Sequence, residues 1–417
     1  MIVTRLRLVN LRAIEAAEFS FQPGMNLIVG VNGVGKTSVL DALGVCLSAV
    51  VKQANKLRGR VETFSVDDIR IGAEALTVES AIRLGDRQYS YLVHKPCETS
   101  VPQRKKAGMP REQVHDTPEK AEFIGEVPAP ISRAETGGRP LAVLFSTNRA
   151  VPSERAPGKA VAAGGVPGAF ADAFANRELR LGEFAAWMKV QESLHSERQA
   201  GARVLAACEE AVERFLPGYR NLRQDGRKRP QLWIDRESTT IPVRQLSDGE
   251  RGNLALVLDL TRRLAQANPE LDMPVSEAEA VVLIDEIDLH LHPKWQRQIV
   301  HNLTAAFPRC QFIATTHSPQ VIGEVPHERI QIIADGEVYS PIHSLGVDSS
   351  RVLEEIMEAD PRAKEVQDLL TEISRAINGQ RFERGRELLV RLVEQLGEAD
   401  AEVTRLRTLL DFVEGKE

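Results

Sequence analysis

Gly30-Val31-Asn32-Gly33-Val34-Gly35-Lys36-Thr37 follows a short apolar run, Met25–Val29, and precedes Ser38–Val50, whose Val39, Leu40, Leu43 and Leu47 share one helical face. Strand, glycine-rich loop and helix stand in the order that a phosphate cradle requires. The glycines let successive backbone N–H groups turn inward around a β-phosphate, and the helix N-terminus behind them adds partial positive charge. Lys36 is placed to reach β- and γ-phosphates, and Thr37 offers a hydroxyl to Mg²⁺, a hard cation that takes oxygen ligands. Asn32, Gly33, Val34, Gly35 and Ser38 complete the expected nucleotide-binding set. A plain glycine-rich surface loop is the alternative, and the flanking strand and helix argue against it.

Upstream, Ile2–Val9 alternates apolar and polar residues and Ala17–Phe21 is a second apolar run, so two strands are expected before Pro23-Gly24 and the third at Met25. Downstream, Ala280–Ile284 is an apolar run ending in Asp285-Glu286. A buried parallel strand delivers carboxylates to its C-terminal edge in this way. Asp285 would then sit by Mg²⁺ and Glu286 by an attacking water; a core strand meeting a solvated turn is the other reading. Leu246-Ser247-Asp248-Gly249-Glu250 opens an amphipathic helix carrying Leu254, Leu256, Val257, Leu260 and Leu264. Ser247 and Gly249 at a helix start make an anion site, although Ser-Asp-Gly on its own reads as an N-cap. Gln311–Thr316 is a further apolar strand, ending at His317-Ser318-Pro319. A histidine there contacts a γ-phosphate or the attacking water, or serves as a structural hydrogen-bond partner.

With these four pieces in this order, the chain resembles ABC-type ATPase heads of the SMC and recombination-protein branch: GVNGVGKT as Walker A, LSDGE as signature, VVLIDE as Walker B and TTHS as the switch-histidine loop. The resemblance implies an α/β fold, an ABC-head-like P-loop NTPase with a mixed β-sheet core, a helical lobe and a C-terminal helical extension. It also implies ATP and Mg²⁺ as ligands, with Lys36, Glu286 and His317 catalytic and Thr37 and Asp285 on the metal. Two copies would close head to tail, the second adding Ser247, Gly249 and Glu250 to each nucleotide. Asp285-Glu286-Ile287-Asp288-Leu289-His290-Leu291-His292-Pro293 is more specific, since it resembles the stand-alone ATPases of Septu and retron-associated Septu anti-phage modules. Leu289–Pro293 then occupies the D-loop position, and His290 and His292 read as dimer contacts, a zinc site or a helix start. By this resemblance the chain is the ATPase or regulatory subunit of a defence complex with a separate HNH-type nuclease, and nucleic acid is met through the complex. The alternative is a DNA repair or recombination ATPase that clamps duplex DNA. One departure stands out: heads of this class end a middle strand with a glutamine that senses Mg²⁺, whereas Leu141–Ser146 leads into Thr147-Asn148-Arg149, leaving Asn148 or Arg149 as substitutes.

Bulk properties bound these expectations. The 417 residues suit two or three units, and 53 Lys plus Arg against 59 Asp plus Glu, net −6, create no global positive field for nucleic acid. Cys46, Cys97, Cys208 and Cys310 stand singly, which fits a reducing cytosol rather than a disulfide or zinc framework. No apolar stretch is read as approaching the ~20 residues of a bilayer span, and MIVTRLRLVNLRAI is too charged for a signal peptide. A soluble, cytoplasmic protein without a membrane partner is expected.

Composition divides the chain into 1–150, the N-terminal half of the head; 151–245, a helical lobe and hairpin; 246–345, the C-terminal half; and 346–417, a helical domain for oligomer or partner contacts, or a simple cap. Within these, 96–140 reads as a long loop with an Arg104-Lys105-Lys106 cluster, 151–168 as loop, Asp172–Phe215 as helical and Gln231–Val243 as a hairpin. The tail presents apolar faces at Val366, Leu369, Leu370 and Ile373 and at Leu388, Leu389, Leu392, Val393 and Leu396, separated by Asn378-Gly379, so three or four helices are expected. Long heptad arms are missing between the two halves, and no acid-tipped strands in the tail suggest a two-metal nuclease.

Overall fold

The apolar runs Met25–Val29, Ala280–Ile284 and Cys310–Thr316 are buried along their whole length, as strands of a parallel sheet covered on both faces must be. In the computed structural model they lie side by side. The model describes residues 1–57, 61–100, 113–115, 120–128, 138–150, 165–176, 178–179, 181–195, 199–227, 230–357 and 362–414. The Arg104-Lys105-Lys106 cluster and 151–164 lie outside the described residues. Two compact units divide after Val347.

In the first unit the strands are β1 (Ile2–Leu11), β2 (Ile14–Ser20), β3 (Met25–Val29), β4 (Ala75–Leu84), β5 (Arg87–Pro96), β6 (Glu98–Ser100), β7 (Gln113–His115), β8 (Lys120–Ile124) and β9 (Leu141–Phe145). They continue with β10 (Tyr219–Gln224), β11 (Leu232–Arg236), β12 (Thr239–Pro242), β13 (Ala280–Ile284), β14 (Cys310–Thr316), β15 (Ile330–Ala334) and β16 (Glu337–Tyr339). Six form a mixed sheet in the order β16-β15-β3-β14-β13-β9, parallel except for β16. Register pairs Val29 with Thr316, Ala314 with Ile284, and Ile284 with Phe145. The chain therefore leaves β3, β14, β13 and β9 at one edge, which is where open α/β sheets place their ligands.

Helix Lys36–Ala54 is buried on nearly every side, and its Leu40, Leu43 and Leu47 share a core with Leu6, Leu8 and Val78 of a second, antiparallel sheet ordered β2-β1-β4-β5-β8. This helix corrects one expectation, because at 19 residues it is long and apolar enough, by length and composition, to cross a membrane. Its apolar surface is instead consumed by the protein core, the ordinary fate of a helix hydrophobic all round. The mixed-sheet P-loop architecture expected from the motifs is the architecture observed.

Four local readings shift. The second strand begins at Ile14, not Ala17, because the chain turns tightly through Arg12, at φ +50°, and pairs Leu11 with Ile14. Within 96–140, read as loop, Lys120–Ile124 is a strand on the edge of the antiparallel sheet, where the Phe123 ring packs tilted against Tyr91 at 4.9 Å between centroids. The helical stretch begins with a short helix, Gly165–Phe170, a turn follows, and the long helices Leu181–His195 and Gln199–Phe215 come after it. The hairpin β11–β12 gains β10 as a third strand.

The second unit, Asp348–Glu417, carries helices Ser349–Glu355, Lys364–Asn378, Phe382–Leu396 and Ala401–Glu414. Its core joins Leu369, Ile373, Leu388, Leu392, Leu406 and Leu410, and Gly379 caps its second helix.

Candidate functional site

Where β3 ends, the glycine loop turns into helix Lys36–Ala54. Gly33 and Gly35 have φ of +89° and +105°, which favour glycine, and a Cβ on Gly35 would come within 2.9 Å of the Ile14 side chain. The Lys36 ammonium donates to the carbonyls of Gly30 and Val31, both at 2.9 Å, so it lies folded across its own loop. Burial lowers its pKa, while Asp285, Glu286 and Asp288 pull the other way. Asn32 is exposed, Val34 is half-buried, and Ser38, buried, accepts from Arg12 at 3.3 Å. Arg12 also donates to Asp41 of the same helix and to Asp68, tying the β1–β2 turn to both segments.

The Thr37 hydroxyl donates to the Asp285 carboxylate at 3.1 Å, although 248 positions separate them in the chain. Asp285 is held from its other side by the Thr315 hydroxyl at 2.7 Å. That same hydroxyl accepts from the Glu286 N–H at 2.7 Å. Glu286 sits at φ +49°, in a left-handed conformation rarely adopted by a non-glycine residue. One residue along from Thr315, the Thr316 hydroxyl donates to Asp288 at 2.5 Å and accepts from the Ser318 N–H at 3.0 Å. His317, between these threonines and the helix beyond, is half-buried. Burial and then Lys36 lower its pKa, against Asp288, Glu286 and Asp285. The neutral imidazole is therefore the favoured form.

Lys36, Thr37, Asp285, Glu286 and His317 thus come from adjacent strand ends, while Ser247, Gly249 and Glu250 form a separate cluster. Among the described residues, no hydrogen bond or ion pair joins Ser247 or Glu250 to Lys36, Thr37 or Asp285. Ser247 caps helix Asp248–Ala267: its hydroxyl accepts from the Glu250 N–H at 3.4 Å, and the Glu250 carboxylate accepts from the Ser247 N–H at 3.0 Å and hydroxyl at 2.7 Å. The N-cap reading of this segment is what a single chain displays. Tyr219 donates to Glu250 at 2.6 Å from β10. Gly249 presses on the segment around His290, since a Cβ there would lie 2.5 Å from the His290 carbonyl oxygen. His290 itself is exposed at φ +58°. His292 is a helix cap, accepting from Lys294 N at 3.2 Å, so its helix-start reading is the one displayed. No cluster of three metal-ligating side chains occurs among the described residues, and none of the four cysteines forms a disulfide.

Neither candidate for the missing glutamine hydrogen-bonds to Thr37 or to the Asp285 carboxylate. Asn148 donates to Asn176 at 2.8 Å. Arg149, in the short 3₁₀ turn Thr147–Ala150 after β9, donates to the backbone carbonyls of Ser146, Asp285 and Glu286. Sequence reasoning passed over Thr315 and Asp288 altogether. The threonine pair in TTHS and the acid two residues after Glu286 were the available signals.

Residues 188–323 match a family model described as "AAA domain, putative AbiEii toxin, Type IV TA system", and residues 5–120 match one described as "AAA domain". Over 223 residues the chain is 36% identical to the "Retron Ec83 probable ATPase" of Escherichia coli, covering 52% of this chain and 41% of that protein. It is 39% identical over 95 residues to the Septu protein PtuA of Bacillus mycoides (strain KBAB4), covering 23% of this chain and 13% of that protein. The chain is similar to a retron protein named a probable ATPase and to a Septu protein. The matched regions span less than half the length of either relative. Among solved structures, an SMC head bound to the C-winged helix domain of ScpA superposes with a TM-score of 0.48 at 15% identity, over 82% of this chain and 97% of that one.

Proposed function

We propose that this chain binds and hydrolyses ATP, closing two nucleotides between two copies arranged head to tail. The observation that carries the reading is the meeting of the Thr37 hydroxyl and the Asp285 carboxylate, 3.1 Å apart at the mouth of the glycine loop. That pair fits Mg²⁺, since both donors are hard oxygens. Bound there, the ion would offset charge on the β- and γ-phosphates. Lys36 exchanges its loop carbonyls for phosphate oxygens, and Asp285 stays fixed by Thr315. Glu286 orients and deprotonates water. His317, held neutral, hydrogen-bonds the γ-phosphate or that water. Ser247 and the Gly249 backbone of the second copy close each site, with Glu250 supporting them. Positioning and electrostatics supply most of the acceleration.

The names of the relatives support a defence role: an ATPase or regulatory subunit whose nucleotide state restrains or licenses a separate HNH-type nuclease, with nucleic acid engaged through that complex. Hydrolysis separates the copies and gives the partner a state to read. The test measures ATP binding and turnover by wild type and Lys36→Ala, then co-purification with the products of the neighbouring genes, probed for a nuclease. Nucleotide-dependent co-purification supports the reading. Full ATP binding by Lys36→Ala, or a nuclease that never associates, contradicts the corresponding half.

A further inference from the structure

Glu286 is the one residue of the proposed hydrolytic set whose backbone is held in a left-handed conformation, at φ +49°. Such a conformation persists only where surrounding groups over-determine it. Two side chains do so here. On the N–H side, Thr315 at the end of β14 accepts at 2.7 Å. On the carbonyl side, the Arg149 guanidinium donates at 2.6 Å through Nη2, while Nη1 serves the carbonyls of Asp285 and Ser146. One planar fork thereby spans the ends of β9 and β13.

Arg149 is 5% exposed, and burial pulls its pKa down to about 10, with Asp285, Asp288 and Glu286 opposing the fall. It remains a cation at neutral pH. A buried cation with no bonded carboxylate, its donors given to backbone carbonyls, is an expensive way to stabilise a turn. By contrast the Glu286 carboxylate makes no hydrogen bond or ion pair among the described residues. No polar partner steers it, so the backbone conformation of Glu286 governs where its side chain starts.

We infer that Arg149 is a positioning residue: by gripping the carbonyls of Asp285 and Glu286 it holds the left-handed turn that aims the Glu286 carboxylate at the nucleotide. It takes the chain position of the missing glutamine, but acts on the Walker B backbone rather than on a metal. Lysine is a poor replacement, because its single nitrogen lacks the two-pronged planar fork that reaches the carbonyls of Ser146, Asp285 and Glu286 from two nitrogens. This inference rests on the proposed role of Glu286.

The test is a double-mutant cycle on the full chain, measuring steady-state ATPase and ATP affinity for wild type, Arg149→Lys, Glu286→Gln and the pair. Arg149→Lys is expected to lower kcat about 100-fold, the scale of a misplaced reacting group, while KM and ATP affinity stay within about twofold. In the Glu286→Gln background the same change is expected to cost less than about twofold, because the group it positions is already disabled. Equal losses in both backgrounds, or a raised KM with kcat intact, would overturn the inference and leave the ATPase reading standing. Wild-type turnover no higher than that of Lys36→Ala would overturn both. If Arg149→Lys does not fold, Arg149→Gln and Arg149→Ala take its place. Partial recovery of kcat by Gln over Ala, seen only with Glu286 present, supports the role; recovery that is absent or independent of Glu286 refutes it.

Discussion

Replacing Thr315 by valine removes one hydroxyl and almost no volume, and the structure says what that hydroxyl does. Fully buried, it donates to the Asp285 carboxylate and accepts from the Glu286 N–H, each at 2.7 Å. A hydrogen bond to a charged group is worth about 1.5–3 kcal/mol, and a buried N–H left without an acceptor costs about 1–3 kcal/mol. Because one atom serves both, the two losses overlap, and the expected destabilisation of the first unit is about 2–4 kcal/mol. Asp285 and Glu286 lose a restraint together, so if about 1.4–2.8 kcal/mol of that reaches the transition state, kcat falls about 10–100-fold. Urea unfolding and steady-state ATPase on the same preparations are the assays, with Thr315→Ser as the control that keeps the hydroxyl. A valine variant within about 0.5 kcal/mol of wild type, the range of an ordinary surface change, and with full turnover would refute this account of the strand ends.

Gly249→Ala is expected to lower the melting temperature through a loss of about 1–3 kcal/mol, typical of forcing extra volume into a packed contact, because its Cβ would meet the His290 carbonyl oxygen at 2.5 Å; an unchanged melting curve would contradict that contact. Ser247→Arg is expected to leave ATP binding by a single chain intact while stopping turnover, and normal turnover would remove the signature cluster from the mechanism. His317 has a folded pKa below its ordinary value, so as pH falls the unfolded chain takes up that proton first. Stability is therefore lost as pH drops from about 6.5, the ordinary histidine value, through the lower folded value, and none is lost above that window. Unfolding of wild type and His317→Gln across this range is expected to show the wild-type loss shrinking in the variant; identical pH profiles would contradict the assignment.

The parts of the site legible in the sequence were those encoded within one short segment. Gly33, Gly35, Lys36 and Thr37 declare a loop because glycine spacing and the following helix are local, and Asp285-Glu286 declare a strand tip because the apolar run before them is unbroken. What joins these segments is strand order, with β14 lying between β3 and β13. That adjacency is non-local, which is why Thr315 went unnoticed: its value lies in standing beside Asp285, 30 positions earlier in the chain. Arg149 was visible as an oddity after Leu141–Ser146, yet only the parallel pairing of Ile284 with Phe145 brings its guanidinium to the Walker B carbonyls. The start of β2 was displaced by a tight turn that alternation does not encode. The strand at Lys120–Ile124 was hidden by charged residues on its outward face, Lys120 and Glu122, around the inward Phe123.

The account turns on two copies gripping each nucleotide, and the most direct measurement is the mass of a Glu286→Gln chain by light scattering, with and without ATP and Mg²⁺. Slowed hydrolysis is predicted to trap the closed form, so that ATP at least doubles the mass while Ser247→Arg in the same chain prevents the increase. A mass that ATP leaves unchanged, in a protein shown to hold the nucleotide, would contradict the two-copy site.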